Sequence, residues 1–285
     1  MSKLKIAIQK NGRLRDGSLK LLRDCGISID NGNNQLKVTA ANFPLEILYL
    51  KNSDIPQYVE DGVSDVAIVG ENLLIEKSPS VEIVKKLGFA RCRVCLAVPK
   101  EVNASDPTYF EGKKIATSYP NTLKSYLDKR GISAEIHEIS GSVEIAPNIG
   151  LADGICDIIS TGNTLFQNGL KEVSTILNSE SCLIRNNDLG KTKLDLLDKL
   201  VFRMNTVQRA SNSKYILMNV PNEKIDKISQ ILPVLRSPTI MPLADEGWSS
   251  MHSVIDEDKF WNVIDQLKTA GAEGILVIPI EKMIL

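Results

Sequence analysis

GLADGICDIISTGNTL, residues Gly150–Leu165, is an apolar run that empties into a small, hydroxyl-rich turn and then opens toward a helix. Cys156–Ile159 have the length and branching of a buried strand. The turn behind them offers hydroxyls at Ser160, Thr161 and Thr164, an amide at Asn163, and at Gly162 a backbone without a Cβ to hold an anion away. A helix starting near Thr164 would aim its unpaired N–H groups at whatever sits in the turn, favouring an anion by about 0.3–1 kcal/mol per exposed charge. A strand feeding a phosphate cradle of this kind predicts an α/β fold. On local pattern alone an ordinary Ser/Thr/Asn helix cap fits equally well.

Upstream, strand and helix patterns alternate: KIAIQ, an amphipathic helix around Ser18–Cys25, LKVTA, LEILYL, a helix over Ile55–Asp61, and DVAIVG. This predicts helices wound on a mainly parallel sheet. After the basic strand ARCRVCLAVP a second set begins: KKIATS, a helix from Asn121 to Lys129 ended by Gly131, AEIHEIS, a helix near Val143–Leu151, CDIIST and KEVSTIL. Two such lobes with a strand passing between them predict a cleft. The expected boundaries are 1–95 for the first lobe, 96–189 for the second, and a helix at 190–210 returning to the first. ASNSK, Ala210–Lys214, reads as a linker. Residues 211–285 then follow the order βαββαβ of a ferredoxin-like unit, whose blandest role is passive dimerisation.

Composition narrows the function classes. A chain of 285 residues with 43% hydrophobic residues can build two or three cores, and a net charge of −1 gives no general pull toward nucleic acid or an anionic membrane. No apolar run reaches the roughly 18 residues of a membrane span, and MSKLKIAIQKNGR turns polar too early for a secretory signal, so the expected location is the cytoplasm. Five cysteines at irregular spacing read as reduced thiols. Cys92 and Cys95 form a C-x-x-C within a strand, where residues three apart point to opposite faces. With only His137 and His252 beside them, a zinc site is not expected.

Several motifs in one order carry a more specific likeness: IAIQKNGRL (Ile6–Leu14), VAIVGEN (Val66–Asn72), KKIATSYP (Lys113–Pro120), SGSVEIAP (Ser140–Pro147) followed by the opening stretch, SPTIMPLA (Ser237–Ala244) and ILVIPIEKM (Ile275–Met283). Together they resemble ATP phosphoribosyltransferase, the first enzyme of histidine biosynthesis, in its long form. The resemblance implies a periplasmic-binding-protein-like catalytic body with a C-terminal regulatory domain. It implies Mg²⁺-dependent transfer of phosphoribosyl from phosphoribosyl pyrophosphate (PRPP) to N1 of ATP, yielding N1-(5-phosphoribosyl)-ATP and pyrophosphate.

Site expectations follow. The turn Ser160, Thr161, Gly162, Asn163 and Thr164 would hold the 5′-phosphate. Lys10 and Arg13, with Gln9 and Gly12 beside them at the carboxyl end of the first strand, would meet pyrophosphate or the ATP phosphates. Without the resemblance they read as solvated loop cations. Glu71 and Asn72 in the first lobe, and Ser118 and Tyr119 in the second, occupy equivalent strand ends. The resemblance places Asp153 and Asp157 near the ribose hydroxyls and Mg²⁺; they lie four residues apart, whereas the commoner phosphoribosyltransferase signature has adjacent acids. Glu144 reads as a further substrate acid or a solvated helix-start carboxylate. Arg91 and Arg93 share a strand face toward the cleft, or solvate an edge. A histidine effector site is implied between neighbouring subunits at Asn219, Thr239, Leu243, Ala244 and Ala272, with AMP a second candidate inhibitor and a homo-oligomer from dimer to hexamer. The family can carry aspartate where this chain has Asn219. The alternatives outside this class are a solute receptor and a ligand-sensing regulator, disfavoured by the lack of an export signal and of a basic DNA-binding helix.

Overall fold

The computed structural model describes residues 2–30, 35–160, 163–232 and 237–284. In chain order the elements are β1 (Leu4–Gln9), α1 (Arg13–Asp24), β2 (Lys37–Thr39), β3 (Leu45–Leu50), α2 (Ile55–Glu60), β4 (Val66–Gly70), α3 (Glu71–Lys77), β5 (Glu82–Lys86), β6 (Cys92–Pro99), β7 (Lys114–Thr117), α4 (Pro120–Asp128), β8 (Glu135–Glu138), β9 (Gly154–Ile159), α5 (Asn163–Gln167), β10 (Leu170–Ser179), β11 (Ser181–Arg185), α6 (Lys191–Ser211), β12 (Ser213–Pro221), α7 (Ile225–Ile231), β13 (Thr239–Pro242), β14 (Trp248–Asp256), α8 (Glu257–Thr269) and β15 (Glu273–Pro279). They form two compact units: Met1–Lys20 with Ile27–Leu196, and Leu21–Gly26 with Leu197–Leu285.

The first unit holds two sheets. One runs β2-β3-β1-β4-β11-β5 and the other β10-β6-β9-β7-β8. Their central strands are near-continuous apolar runs because both faces are covered: Leu4, Ile6, Ala7 and Ile8 of β1 and Val66–Val69 of β4 are fully buried. The expectation of mainly parallel sheets needs correction. Parallel pairing is confined to β3-β1-β4 and to β8-β7-β9, while β2, β11, β5, β6 and β10 pair antiparallel. Of the antiparallel pairs in these sheets only β2-β3 joins consecutive strands; the direction of the others follows from where the chain enters each sheet.

Two crossings join the sheets. The chain leaves the first after β5, enters the second at β6, and returns at Glu180 between β10 and β11. The expected cuts at 95 and 189 therefore fall inside or beyond the sheets: all of β6 lies in the second sheet and β11 in the first. EIVKK and SCLIR form β5 and β11, two strands beyond those the sequence pattern predicts. The helix expected near Val143–Leu151 shrinks to a 3₁₀ turn at Val143–Ile145, since Pro147 and the left-handed Gly150 (φ 73°) oppose continuation.

The second unit carries the antiparallel sheet β13-β14-β12-β15, the strand order of the expected ferredoxin-like βαββαβ. Alternate residues Ile216, Met218 and Val220 of β12 and Met251 and Ile255 of β14 form its core with Ile228 of α7 and Leu267 of α8. The expected linker is absent, because α6 runs to Ser211 and β12 begins at Ser213. The return of α6 to the first lobe is also only partial. Lys191–Leu196 belong to the first unit, where Lys193 Nζ pairs with buried Asp65 at 2.6 Å, and the remainder groups with the end of α1.

Candidate active site

A cleft of ≈ 710 Å³ opens at the carboxyl ends of β1, β3, β7 and β8. Gln9, Lys10 and Asn11, then Leu50–Ser53, form one wall with Leu73, Glu76 and Lys77 of α3; Ser118, Tyr119 and Glu138–Gly141 form the other. This is where ligands sit in open α/β sheets, since side chains there are not committed to pairing or packing. Gln9, Lys10, Ser118 and Tyr119 are thus brought together.

Arg13 opens α1 immediately after Gly12, whose φ of 90° is open to glycine at no steric cost. Its guanidinium Nη1 donates to Ser160 Oγ at 2.6 Å, linking the loop after β1 to the turn after β9. Thr161 and Gly162 lie outside the described residues, while Asn163 and Thr164 open the backbone of α5. Ser160 is therefore the cradle residue whose contact is defined.

Asn72 is committed between the lobes. Its backbone N–H donates to Ser179 Oγ at 2.9 Å, that hydroxyl donates to its Oδ1 at 2.9 Å, and its Nδ2 donates to Tyr119 Oη at 3.0 Å. Burial, followed by the charge of Asp157, pushes the Tyr119 phenol up, so it stays protonated. Ser118 Oγ donates to the Ile139 carbonyl at 2.7 Å. Glu71 pairs with Lys86 Nζ at 2.8 Å and so faces a cation of its own chain.

The acids separate by position. Asp153 precedes β9, takes the Lys114 N–H at 2.8 Å, and is a full strand away from Ser160, on the order of 20 Å at 3.3 Å per residue. It closes the strand's entry and is not brought to the cradle. Asp157 lies on the stretch leading into the turn. Burial raises its carboxyl from the ordinary 3.8 to about 6, against the Ile158 N–H that lowers it, and Glu144 adds to the rise. Glu144 is thus close enough for its charge to be felt.

Arg93 does not face the cleft. It forms a bidentate pair with Glu172 on β10, Nε to Oε1 at 3.2 Å and Nη2 to Oε2 at 2.6 Å, and β6 is an interior strand, so the edge alternative fails as well. Arg91 is exposed just before β6. Cys92 and Cys95 are free thiols, and among the described residues no three His, Cys, Asp or Glu side chains gather as a metal site.

On the C-terminal sheet, Asn219 lies opposite Ser250 and Glu273, and Thr239 opposite His252. Leu243, Ala244 and the buried Ala272 adjoin the Asn219 end, with Thr239 three residues along β13 from Pro242.

Residues 51–206 match the family model described as ATP phosphoribosyltransferase, and residues 210–282 match that of the HisG C-terminal domain. The chain belongs to the ATP phosphoribosyltransferase family. An ATP phosphoribosyltransferase of Phocaeicola vulgatus is 51% identical over 282 residues, covering 99% of this chain and 100% of the relative. A chain of the ATP phosphoribosyl transferase (HisG:HisZ) complex from Thermotoga maritima superposes with a TM-score of 0.61 at 28% identity, covering 71% of this chain and 96% of that one. A periplasmic sulfonate-binding protein from Methylobacillus flagellatus matches at a TM-score of 0.51 and 17% identity over 72% of this chain and 67% of its own, a likeness of fold alone. The family's catalytic and C-terminal parts are both present, making this the long form. The chain is accordingly a phosphoribosyltransferase of the first step of histidine biosynthesis. No helix among the described residues is long and apolar enough to cross a membrane.

Three structural features had escaped the sequence: Glu76, Ser179 and the Lys51–Ser53 wall. Ser179 and Glu76 act on partners 107 and 45 to 46 residues away, beyond any local pattern.

Proposed function

We propose that ATP and PRPP react at the ≈ 710 Å³ cleft, with ATP against Lys10 on its wall and the 5′-phosphate of PRPP held outside that lining in the turn Ser160–Thr164, which Arg13 joins to the loop after β1. The contact of Arg13 with Ser160 carries this reading, because it puts a cation from one lobe at the entrance of the cradle on the other. N1 of adenine already bears a lone pair, so no proton must leave before attack on ribose C1. The protein's work is to align N1 with C1 and to stabilise the charge of the departing pyrophosphate. Arg13 suits that charge through its planar fork and Lys10 through a compact one.

Mg²⁺ would be carried by the pyrophosphate oxygens, as this ion commonly uses one or two carboxylates plus phosphates. Asp157 and Glu144 fit that role, since two neighbouring carboxylates, one with its ionisation opposed by burial, favour a cation. When bound, the metal supplies charge neutralisation for the leaving group. Pyrophosphate should appear only when ATP and PRPP are both present; release from PRPP alone would make the chain a hydrolase.

Asp157 also gives a pH prediction. With its folded value raised above the unfolded one, its contribution to stability is present below about pH 4 and lost as pH rises through about 6, on the order of 2–3 kcal/mol. Asp157→Asn should therefore raise the melting temperature at pH 8 while impairing PRPP use. A lower melting temperature at pH 8 would show that burial does not oppose its charge.

Histidine inhibition through the C-terminal unit requires that the effector bind the less active arrangement better. Thr239→Val, at an exposed position, should weaken inhibition and leave kinetics without histidine near wild type. Full retained sensitivity would remove Thr239 from the effector site.

A further inference from the structure

We propose that Glu76 is a pin between the lobes, a positioning residue whose carboxylate caps α4 and thereby holds Ser118 and Tyr119 on the cleft wall. The proposal rests on the reaction taking place in that cleft. Helix α4 starts abnormally: its N-cap is Tyr119, whose side chain makes no capping bond, with Pro120 next. Its first-turn amides would be left without partners by local sequence. They find them in α3 of the other lobe. Glu76 Oε1 accepts the Asn121 N–H at 3.0 Å, Oε2 accepts the Thr122 N–H at 2.9 Å and the Thr122 hydroxyl at 2.7 Å, and the Glu76 carbonyl accepts Asn121 Nδ2 at 3.1 Å.

Glu76 is 7% exposed, and its carboxylate lies at the positive end of the α4 dipole, the arrangement by which helix N-termini bind anions. The chain thus fills this anion position with a residue of its own first lobe. The two strand crossings alone would let the lobes hinge. Glu76, beside the Asn72–Tyr119 bond, ties the start of α4 to α3, and Ser118 and Tyr119 immediately precede that tie.

Glu76→Ala should lower kcat by about tenfold to a hundredfold, the scale of loss when groups that align the reactants are misplaced by about 1 Å. PRPP affinity, measured by calorimetry with Mg²⁺ present, should stay within about twofold, since the cradle on β9 and α5 is untouched. Formate should restore part of the lost kcat in a saturable way and not stimulate wild type, an effect that mere loss of packing would not produce. A folded Glu76→Ala protein with near wild-type kcat, or one whose loss formate leaves unchanged, overturns the proposal. If Glu76→Ala fails to fold, Thr122→Val decides: it removes one of the four bonds and should lower kcat several-fold, and an unchanged kcat overturns the pin. Wild type inactive with ATP and PRPP would instead reject the proposed reaction. The pin would then be judged by amide exchange at Asn121 and Thr122, slow in wild type and fast in Glu76→Ala; equal exchange in both overturns it.

Discussion

Arg13→Met should reduce kcat/KM for PRPP by about tenfold to a hundredfold with the fold intact. The guanidinium donates to Ser160 Oγ at 2.6 Å from an exposed position at the start of α1, so its removal leaves no buried hole. A charge-assisted contact of this kind is worth about 1.5–3 kcal/mol, which appears in the rate when the charge it meets develops in the transition state. Arg13→Lys should recover only part, because an ammonium lacks the planar fork that matches two phosphate oxygens at once. Lys10→Met, on the cleft wall, should also slow turnover, with the effect expressed toward ATP if the proposed arrangement holds. Steady-state kinetics with each substrate varied separates the two. Near-normal values in both variants would return them to the class of solvated loop cations.

Gly154→Ala should cost stability of about 1–3 kcal/mol, from overpacking alone. A Cβ at this position would lie 2.7 Å from the Ala97 carbonyl oxygen and 2.6 Å from Cε1 of the fully buried Phe110. Ala97 belongs to β6, paired with β9, so its carbonyl cannot retreat without breaking the ladder. A drop in melting temperature of several degrees is expected for a unit of this size, with weaker PRPP binding because β9 carries Asp157 and leads to Ser160. Gly17→Ala is the contrasting case. The three atoms nearest its Cβ all belong to the Phe89 ring, a partly exposed side chain that can turn aside, so its cost should be smaller.

The sequence displayed what depends on periodicity and on strand-to-helix transitions. Strands β1, β3, β4 and β9, the ferredoxin-like order of the last unit, and the loop carrying Lys10 and Arg13 were all legible, because apolar runs bounded by small polar turns report burial directly. What escaped was non-local. Strand direction in β6, β10 and β11 is set by where the chain crosses between sheets, and composition does not encode it. Arg93 looked available because Glu172, its partner, lies 79 residues on. Asp153 and Asp157 looked equivalent in sequence, yet one closes the entry of β9 and the other lies near its exit. Glu76 left a single negative trace, a helix beginning Tyr-Pro-Asn-Thr with no capping side chain at its start, which implies a cap from elsewhere.

The most direct test of the central claim is the product itself. Purified protein incubated with ATP, PRPP and Mg²⁺ should form one pyrophosphate per molecule of a new adduct, with the ribose joined at N1 of adenine as read by NMR. Arg13→Met should slow both in proportion. Pyrophosphate formed without an ATP adduct, or an adduct joined elsewhere on the purine, would contradict the assignment of the cleft to ATP phosphoribosyl transfer.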